Sequence, residues 1–159
     1  MKARFVLVLA AILVMAGSAS VAASTADVPF TTSLQVHPAF AGPIMVPPFG
    51  FKLDVPGEGR ATHLGDCTWH AVMRVYSNQT QDGDMIFTAA NGDELHGSFV
   101  GTGYPDANGV SHFQGTYEFD GGTGRFEHAT GEGNYWGTAV IGDGLLYFDG
   151  TLNLQTGAR

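Results

Sequence analysis

From Gly57 to the C-terminus, the sequence alternates apolar and polar residues in segments of about 8–10 residues. Clusters of Gly, Asn and Asp separate these segments, and 23 of the 159 residues are glycine. This spacing is typical of an all-β sandwich or barrel, in which each strand buries one face and a short turn leads to the next strand. No segment shows the 3.6-residue period of an amphipathic helix, so we expect at most one helical turn, around residues 126–130.

The alternating segments predict eight strands, a number that closes a small antiparallel β-barrel. The expected strands are 29–37, 57–64, 67–76, 84–89, 93–102, 111–120, 131–140 and 144–154. Their apolar faces mix bulky aromatic side chains with glycines, as in the tapering interior of a small barrel. Eight strands enclose little space, so we expect a lumen that is either filled by side chains or occupied by one small apolar ligand.

The inner faces of the predicted strands give a set of candidate ligand-binding residues. Residues two apart on a strand point to the same side, so the apolar parity of each segment marks the face that turns inward. The candidate lumen lining consists of Cys67, Trp69, Met73, Phe87, Phe99, Tyr117 and Phe148. For Cys67 and Trp69, filling of the core is the more common role of such a side chain.

One hairpin, around Asn91-Gly92, can be predicted in register. A two-residue loop would place Phe87 opposite His96. A three-residue loop, with Gly92 in the left-handed conformation, places Phe87 opposite Leu95 instead. Because register follows the buried face, we expect the three-residue loop.

The N-terminus has the layout of a secretory signal peptide. Lys2 and Arg4 precede an apolar run over residues 5–15, and small residues follow, with a cleavage point after Ala22 or Ala23. The apolar run is shorter than the roughly 20 residues that a membrane-spanning helix needs. We therefore expect a secreted or periplasmic protein, divided into a signal peptide (1–23), a first strand with a Pro-rich arm (24–56) and the barrel body (57–159).

The Pro-rich arm over residues 38–51 is expected to be extended. Six of the seven prolines lie between Pro29 and Pro56. Proline removes a backbone donor and biases the preceding residue towards extended geometry, which excludes a helix here. We expect the apolar side chains of the arm to pack on the barrel itself, with a partner surface as the alternative: Phe40, Ile44, Met45, Val46, Phe49 and Phe51.

Charge and cysteine content exclude several classes of protein. The net charge is −8 with only seven Lys and Arg, which disfavours binding to nucleic acid. A single cysteine, Cys67, cannot form an intramolecular disulfide. The six histidines show no metal-binding spacing, and the glycines of residues 121–124 lack the context of a phosphate-binding loop. We predict no metal and no cofactor.

Four polar residues on the late strands form a possible acid/base group. Glu118, His112, Tyr147 and Asp149 lie on the polar faces of predicted strands. On the solvent side of a barrel they have no catalytic role, which is the simpler expectation. If those faces turned inward, the four side chains would form an acid/base cluster in the lumen.

Three motifs, in order along the chain, resemble those of a known superfamily. They are Gly57-x-Gly-x-Ala-Thr-His-Leu-Gly65, Phe87-Thr-Ala-Ala-Asn-Gly-Asp-Glu-Leu95 and Gly121-Gly-Thr-Gly-Arg-Phe-x-x-Ala-Thr-Gly131. They look like those of the exported bacterial relatives of the allene oxide cyclase barrel. The third motif is also similar to the Gly-Gly-Thr-Gly-x-Phe signature of plant dirigent proteins. The resemblance covers about residues 57–154.

This resemblance implies an eight-stranded antiparallel barrel with an internal cavity. Characterised members of the superfamily steer the cyclisation or coupling of hydrophobic small molecules, mostly without cofactors, and several form trimers or dimers. The glycine motifs correspond to turns and packing elements, so no catalytic residue is carried over.

Three functions follow as expectations. The first is a secreted or periplasmic barrel that binds a small hydrophobic ligand in its lumen. The second is a cofactor-free cyclase or isomerase that uses the same cavity, and the third is a non-catalytic structural or surface protein. The expected partner is a small hydrophobic molecule, and a homo-oligomer is compatible with the sequence. Neither nucleic acid nor, after signal cleavage, a membrane span is expected.

Overall fold

The structure, a computed structural model, describes residues 27–155. The predicted signal peptide and its cleavage point lie outside the described residues. The described chain is all-β, with a single turn of 3-10 helix at Gly124–Phe126, slightly earlier than expected. The strands are β1 (Asp27–Val36), β2 (Ala39–Ile44), β3 (Gly50–Ala61), β4 (Gly65–Tyr76), β5 (Thr80–Ala89), β6 (Glu94–Pro105), β7 (Ser111–Gly122), β8 (Thr130–Val140) and β9 (Asp143–Asn153).

Eight of these strands form a closed antiparallel barrel, which confirms the predicted fold. Strands β3 to β8 each pair with the next strand along the chain. The ring closes through β1, which pairs with β9 along one edge and with β3 along the other. Closure leaves these eight strands without a free edge over the paired region, so their backbone groups are satisfied within the barrel.

The ninth strand, β2, continues the direction of β1 along β3. Val36 pairs with Gly57, and after a short break Ala39 pairs with Asp54. Pro56 lies opposite this break, where its carbonyl accepts a hydrogen bond from the backbone N–H of His37 at 2.8 Å. The missing N–H of the proline therefore falls where the neighbouring strand is interrupted, and a proline is tolerated inside β3.

The hairpin formed by β2 and β3 extends past the start of β9. The backbone of the Pro-rich arm is thus paired, but four of its apolar side chains are more than half exposed: Phe40, Met45, Val46 and Phe49. The expectation that they pack on the chain's own barrel is wrong. Among the described strands, no further strand lies beyond β2 to cover them.

The β5–β6 hairpin has the predicted register. Phe87 pairs with Leu95, which confirms the three-residue loop. The N–H of Ala89 donates to the carbonyl of Asp93 at 2.9 Å, and Gly92 has φ = +87°. Glycine is favoured there because an L side chain is strained at positive φ.

Two strands begin four or more residues before their predicted start. β3 begins at Gly50 rather than at residue 57, because the end of the supposed arm is paired on both sides. β5 begins at Thr80 rather than at residue 84. Its first inward positions are Gln81 and Gly83, which carry no apolar signal in the sequence.

Aromatic side chains fill one half of the barrel. The ring of Phe30 packs edge-on against Phe119 with centroids 4.9 Å apart, and Phe87 packs against Phe148 at 5.4 Å. Buried side chains from the turns at this end, such as Phe126, belong to the same cluster. This half is the closed end of the barrel, and the burial of its apolar side chains stabilises the fold.

Candidate functional site

The other half of the barrel contains a cavity of about 510 Å³. It opens between the β4–β5, β6–β7 and β8–β9 turns, which border its mouth. The floor is formed by four aromatic side chains that separate the cavity from the packed half: Trp69, Phe99, Tyr135 and Phe148. The walls include Leu53, Val55, Met73, Phe113 and Leu146. This volume is within the usual range of small-molecule sites in proteins, roughly 300–1,000 Å³.

The structure brings together four of the seven candidate residues, because Trp69, Met73, Phe99 and Phe148 all line the cavity. The other three, Cys67, Phe87 and Tyr117, face inward but lie in the packed core at the closed end. Strand parity predicts which face is buried, whereas depth along the barrel axis depends on how the strands are staggered. That any of the seven contacts a ligand stays a prediction.

Several lining residues were not among the candidates. Leu53 and Val55 belong to the segment that was assigned to the arm, and their spacing of two residues is the signal that would have placed them on a strand. Phe113 and Leu146 occupy inner positions of correctly predicted strands. Tyr135 stands among glycines on β8, where the apolar alternation is weak.

The cavity wall contains few ionisable side chains. Among the described residues that line it, none is Asp, Glu, Lys or Arg, and the titratable side chains are three tyrosines and His112. Charged groups are costly to desolvate inside such a space, and the chain places them outside. The interior is therefore suited to uncharged molecules.

One buried polar pair lies at the edge of the floor. Gln81 Nε2 donates a hydrogen bond to the hydroxyl oxygen of Tyr135 at 2.8 Å. Burial raises the pKa of Tyr135 to about 12, and the hydrogen bond from Gln81, which favours the phenolate, offsets only part of this effect. The ring of Tyr135 has room because β7 carries Gly115, where a Cβ would lie 2.7 Å from Tyr135 Cε1. The tyrosine thus stays neutral at physiological pH.

A second polar group of the floor has no partner. Trp69 is 3 % exposed, and its indole Nε1 has no hydrogen-bond acceptor among the described residues. Its Cε3 atom lies next to Gly57, and a Cβ added to that glycine would be 3.4 Å from Cε3. The nitrogen is on the opposite edge of the indole and therefore faces away from the β3 wall. The neighbouring rings, Phe87 and Phe148, supply no acceptor oxygen.

The mouth of the cavity carries a histidine held by a carboxylate. His112 Nε2 lies 3.2 Å from Asp106 Oδ2, and the ring stacks on Tyr104 with centroids 5.5 Å apart. Asp106 Oδ1 also accepts hydrogen bonds from the backbone N–H groups of Asn108 and Val110. The Val110 bond and then the His112 contact lower the pKa of Asp106. The carboxylate therefore fixes both the β6–β7 loop and the orientation of His112.

The other three members of the possible acid/base group lie outside the barrel. Glu118 and Asp149 are exposed on outward positions of β7 and β9. Tyr147 stacks on Trp136 at the outer surface, with centroids 6.0 Å apart. Only His112, close to the start of β7, reaches the rim of the cavity, so the described residues do not form the four-membered cluster.

Comparison with family models, curated proteins and solved structures found no match. The similarity to the allene oxide cyclase barrel therefore stays a prediction from the three sequence motifs.

Two further observations concern other kinds of site. Within residues 27–155, no three side chains of His, Cys, Asp or Glu lie close enough to hold a metal ion. In the same range there is no helix long and apolar enough to cross a membrane.

Proposed function

We propose that this protein binds a small hydrophobic molecule inside its barrel. The observation that carries the proposal is the largely apolar cavity of about 510 Å³ above an otherwise packed core. Protein interiors normally leave few voids larger than a water molecule. A barrel of eight strands can be filled by its own side chains, but here glycines and medium-sized residues leave half of the lumen open.

The sequence supports this proposal in two independent ways. The three glycine motifs are similar to those of a superfamily whose members hold hydrophobic molecules in a barrel cavity. The N-terminal pattern of residues 1–23 predicts export. A secreted or periplasmic carrier of an apolar compound is consistent with both features.

Binding can be tested with N-phenyl-1-naphthylamine, a neutral dye that fluoresces in apolar surroundings. We expect a saturable rise in fluorescence while the near-UV circular dichroism stays native. Replacing Met73, which lines the cavity, by Trp is expected to weaken dye binding at least tenfold, because the larger side chain occupies the lumen.

The matched control for this variant is Val72→Trp. Val72 is the neighbouring residue on β4 and points outward, so the same substitution leaves the cavity unchanged. No saturable binding to the native protein, or equal binding by both variants, would contradict the proposal.

The Asp106–His112 contact favours a second candidate function, a cofactor-free isomerase or cyclase. A histidine oriented by a carboxylate at the mouth of an apolar cavity is suited to general acid/base catalysis. In such a step, a ring nitrogen of His112 accepts a proton from a carbon next to a carbonyl, and the resulting enolate later takes up a proton from the imidazolium.

This second candidate predicts deuterium exchange at the methyl group of 2-acetylnaphthalene in D2O. We expect exchange to be faster with the protein than with an equal concentration of free imidazole, and the gain to vanish in His112→Gln. His70→Gln is the control, because His70 forms a similar contact with Asp54, at 2.8 Å, on the outside of the barrel. An exchange rate that is unchanged by His112→Gln would exclude this role for His112.

A further inference from the structure

The side-chain amide of Gln81 has an oxygen to which no described residue donates a hydrogen bond. Gln81 is 5 % exposed and lines the cavity, and its Nε2 donates to the hydroxyl oxygen of Tyr135. Its Oε1 has no such partner. Unlike the indole nitrogen of Trp69, this oxygen is not one of the unpartnered polar atoms that lack accessible surface. It is therefore an acceptor that another molecule can reach.

The glycines of β6 show that this oxygen faces the cavity. Gly101 and Gly103 lie on the inner face of β6, and Gly103, which lines the cavity, is nearer the mouth. A Cβ added to Gly103 would point into the lumen and lie 2.9 Å from Gln81 Oε1. A Cβ added to Gly101 would instead meet the hydroxyl of Tyr135. The amide thus has its nitrogen towards the floor and its oxygen towards the mouth.

Only a molecule in the lumen can supply the missing donor. Strand β5 is paired on both sides at this point, with Val75 of β4 and Gly101 of β6 opposite Gln81. The inner face of the strand is consequently reached through the cavity alone. A molecule that fills the cavity excludes water from Oε1, so it either provides a donor or leaves a buried acceptor unsatisfied, which costs free energy.

The lining also restricts the chemistry of the donor. No described Asp or Glu lines the cavity, so an ammonium group would be desolvated there without a countercharge, at a large cost. An amide N–H is accompanied by a carbonyl oxygen that needs a donor of its own. A hydroxyl group is uncharged and adds a single polar atom to an otherwise apolar molecule.

We propose that the ligand is a neutral, mainly apolar alcohol whose hydroxyl donates a hydrogen bond to Gln81 Oε1. This inference rests on the proposed function and adds the chemical class of the ligand and its polar contact. The apolar body of the molecule contacts side chains of the wall such as Leu53, Met73 and Phe113.

The test compares three uncharged probes of the same size by displacement of N-phenyl-1-naphthylamine: 2-naphthalenemethanol, 2-methoxynaphthalene and 2-ethylnaphthalene. The first carries a hydroxyl, the second an ether oxygen that only accepts hydrogen bonds, and the third no polar atom. We expect the ratio of the alcohol and hydrocarbon association constants to fall about three- to tenfold in Gln81→Met, the loss of one hydrogen bond. The ratio for ether and hydrocarbon should not change.

Gln114→Met is the matched control, because Gln114 is exposed on the outer face of β7. It should leave both ratios unchanged. A second measurement does not depend on the stability of Gln81→Met. In the native protein labelled with 13C and 15N, the Cδ signal of Gln81 should move downfield with the alcohol and much less with the ether or the hydrocarbon.

The outcomes separate the two proposals. If the alcohol does not displace the bound dye, or if its ratio is unchanged in Gln81→Met and the Cδ signal does not move, only this inference is overturned. An equal loss of alcohol and ether binding in Gln81→Met would show that the hydroxyl proton is not recognised and would also overturn it. If neither the dye nor any probe binds, the proposed function is overturned together with this inference.

Discussion

Gln81 on β5 donates a hydrogen bond to the hydroxyl of Tyr135 on β8, and the pair spans the lumen between two strands that are not neighbours in the barrel. Both side chains are buried. The bond therefore connects two walls of the barrel through side chains instead of backbone hydrogen bonds, and it lies at the edge of the cavity floor.

Replacing Gln81 by Leu is expected to lower the free energy of unfolding by about 1–3 kcal/mol, because the Tyr135 hydroxyl loses its buried partner. Tyr135→Phe should have a cost of similar size. The double variant should cost less than the two single costs together, since it removes both polar groups. Urea denaturation of the three variants gives this coupling energy. Strictly additive costs would show that the pair is not coupled.

Alkaline pH is expected to destabilise the protein through Tyr135. Burial raises its pKa from the ordinary 10.0 to about 12 in the folded state. The neutral phenol therefore contributes its full stabilisation below about pH 10, and this contribution is lost as the pH rises towards 12. The free energy of unfolding in urea should fall less between pH 10 and pH 11.5 in Tyr135→Phe than in the wild type. Parallel pH profiles would contradict the assignment.

The thiol of Cys67 is expected to be unreactive in the native protein. Its burial, and then the nearby Asp66, raise its pKa from 9.0 to about 11, so the nucleophilic thiolate is scarce at neutral pH. Ellman's reagent at pH 8 should titrate no thiol in the native protein and one per chain in guanidinium chloride. Rapid modification before unfolding would show that Cys67 is open to solvent.

Gly115→Ala is expected to destabilise the barrel by about 1–3 kcal/mol, the usual cost of overpacking. The added Cβ would lie 2.7 Å from Tyr135 Cε1 and closer still to the backbone of β6, so the ring and strand have to shift. Thr116→Ala is the control, because Thr116 is the next residue on β7 and is exposed. It should change the free energy of unfolding by about 0.5 kcal/mol or less. Equal effects of the two substitutions in thermal or urea denaturation would argue against steric crowding at Gly115.

The barrel could be predicted from the sequence because strand parity and turn chemistry are local signals. Phe87 and Leu95 illustrate this, since only a three-residue loop keeps both on the buried face. The start of β5 is not predicted, because there the local signal points to the wrong face. Gln81 is polar, so an alternating pattern assigns it to the outside, yet in the structure its amide is buried by pairing with a residue 54 positions away.

The cavity itself is less predictable, because it depends on position along the barrel axis. Cys67 and Trp69 share one face of β4, but the first lies in the packed half and the second forms the cavity floor. No local pattern distinguishes the two. Likewise, the lack of an acceptor for Trp69 Nε1 among the described residues can be recognised only when the positions of all neighbouring strands are known.

The closing seam between β1 and β9 has a consequence for biosynthesis. Asp27 pairs with Asn153, so the first and last described strands meet along the whole seam. Until the ribosome has added β9, the nascent sheet has two edges with unpaired backbone groups and an apolar face that is exposed to solvent. The cavity can therefore form only after translation has passed residue 153, and a chain that ends before β9 would lack it entirely.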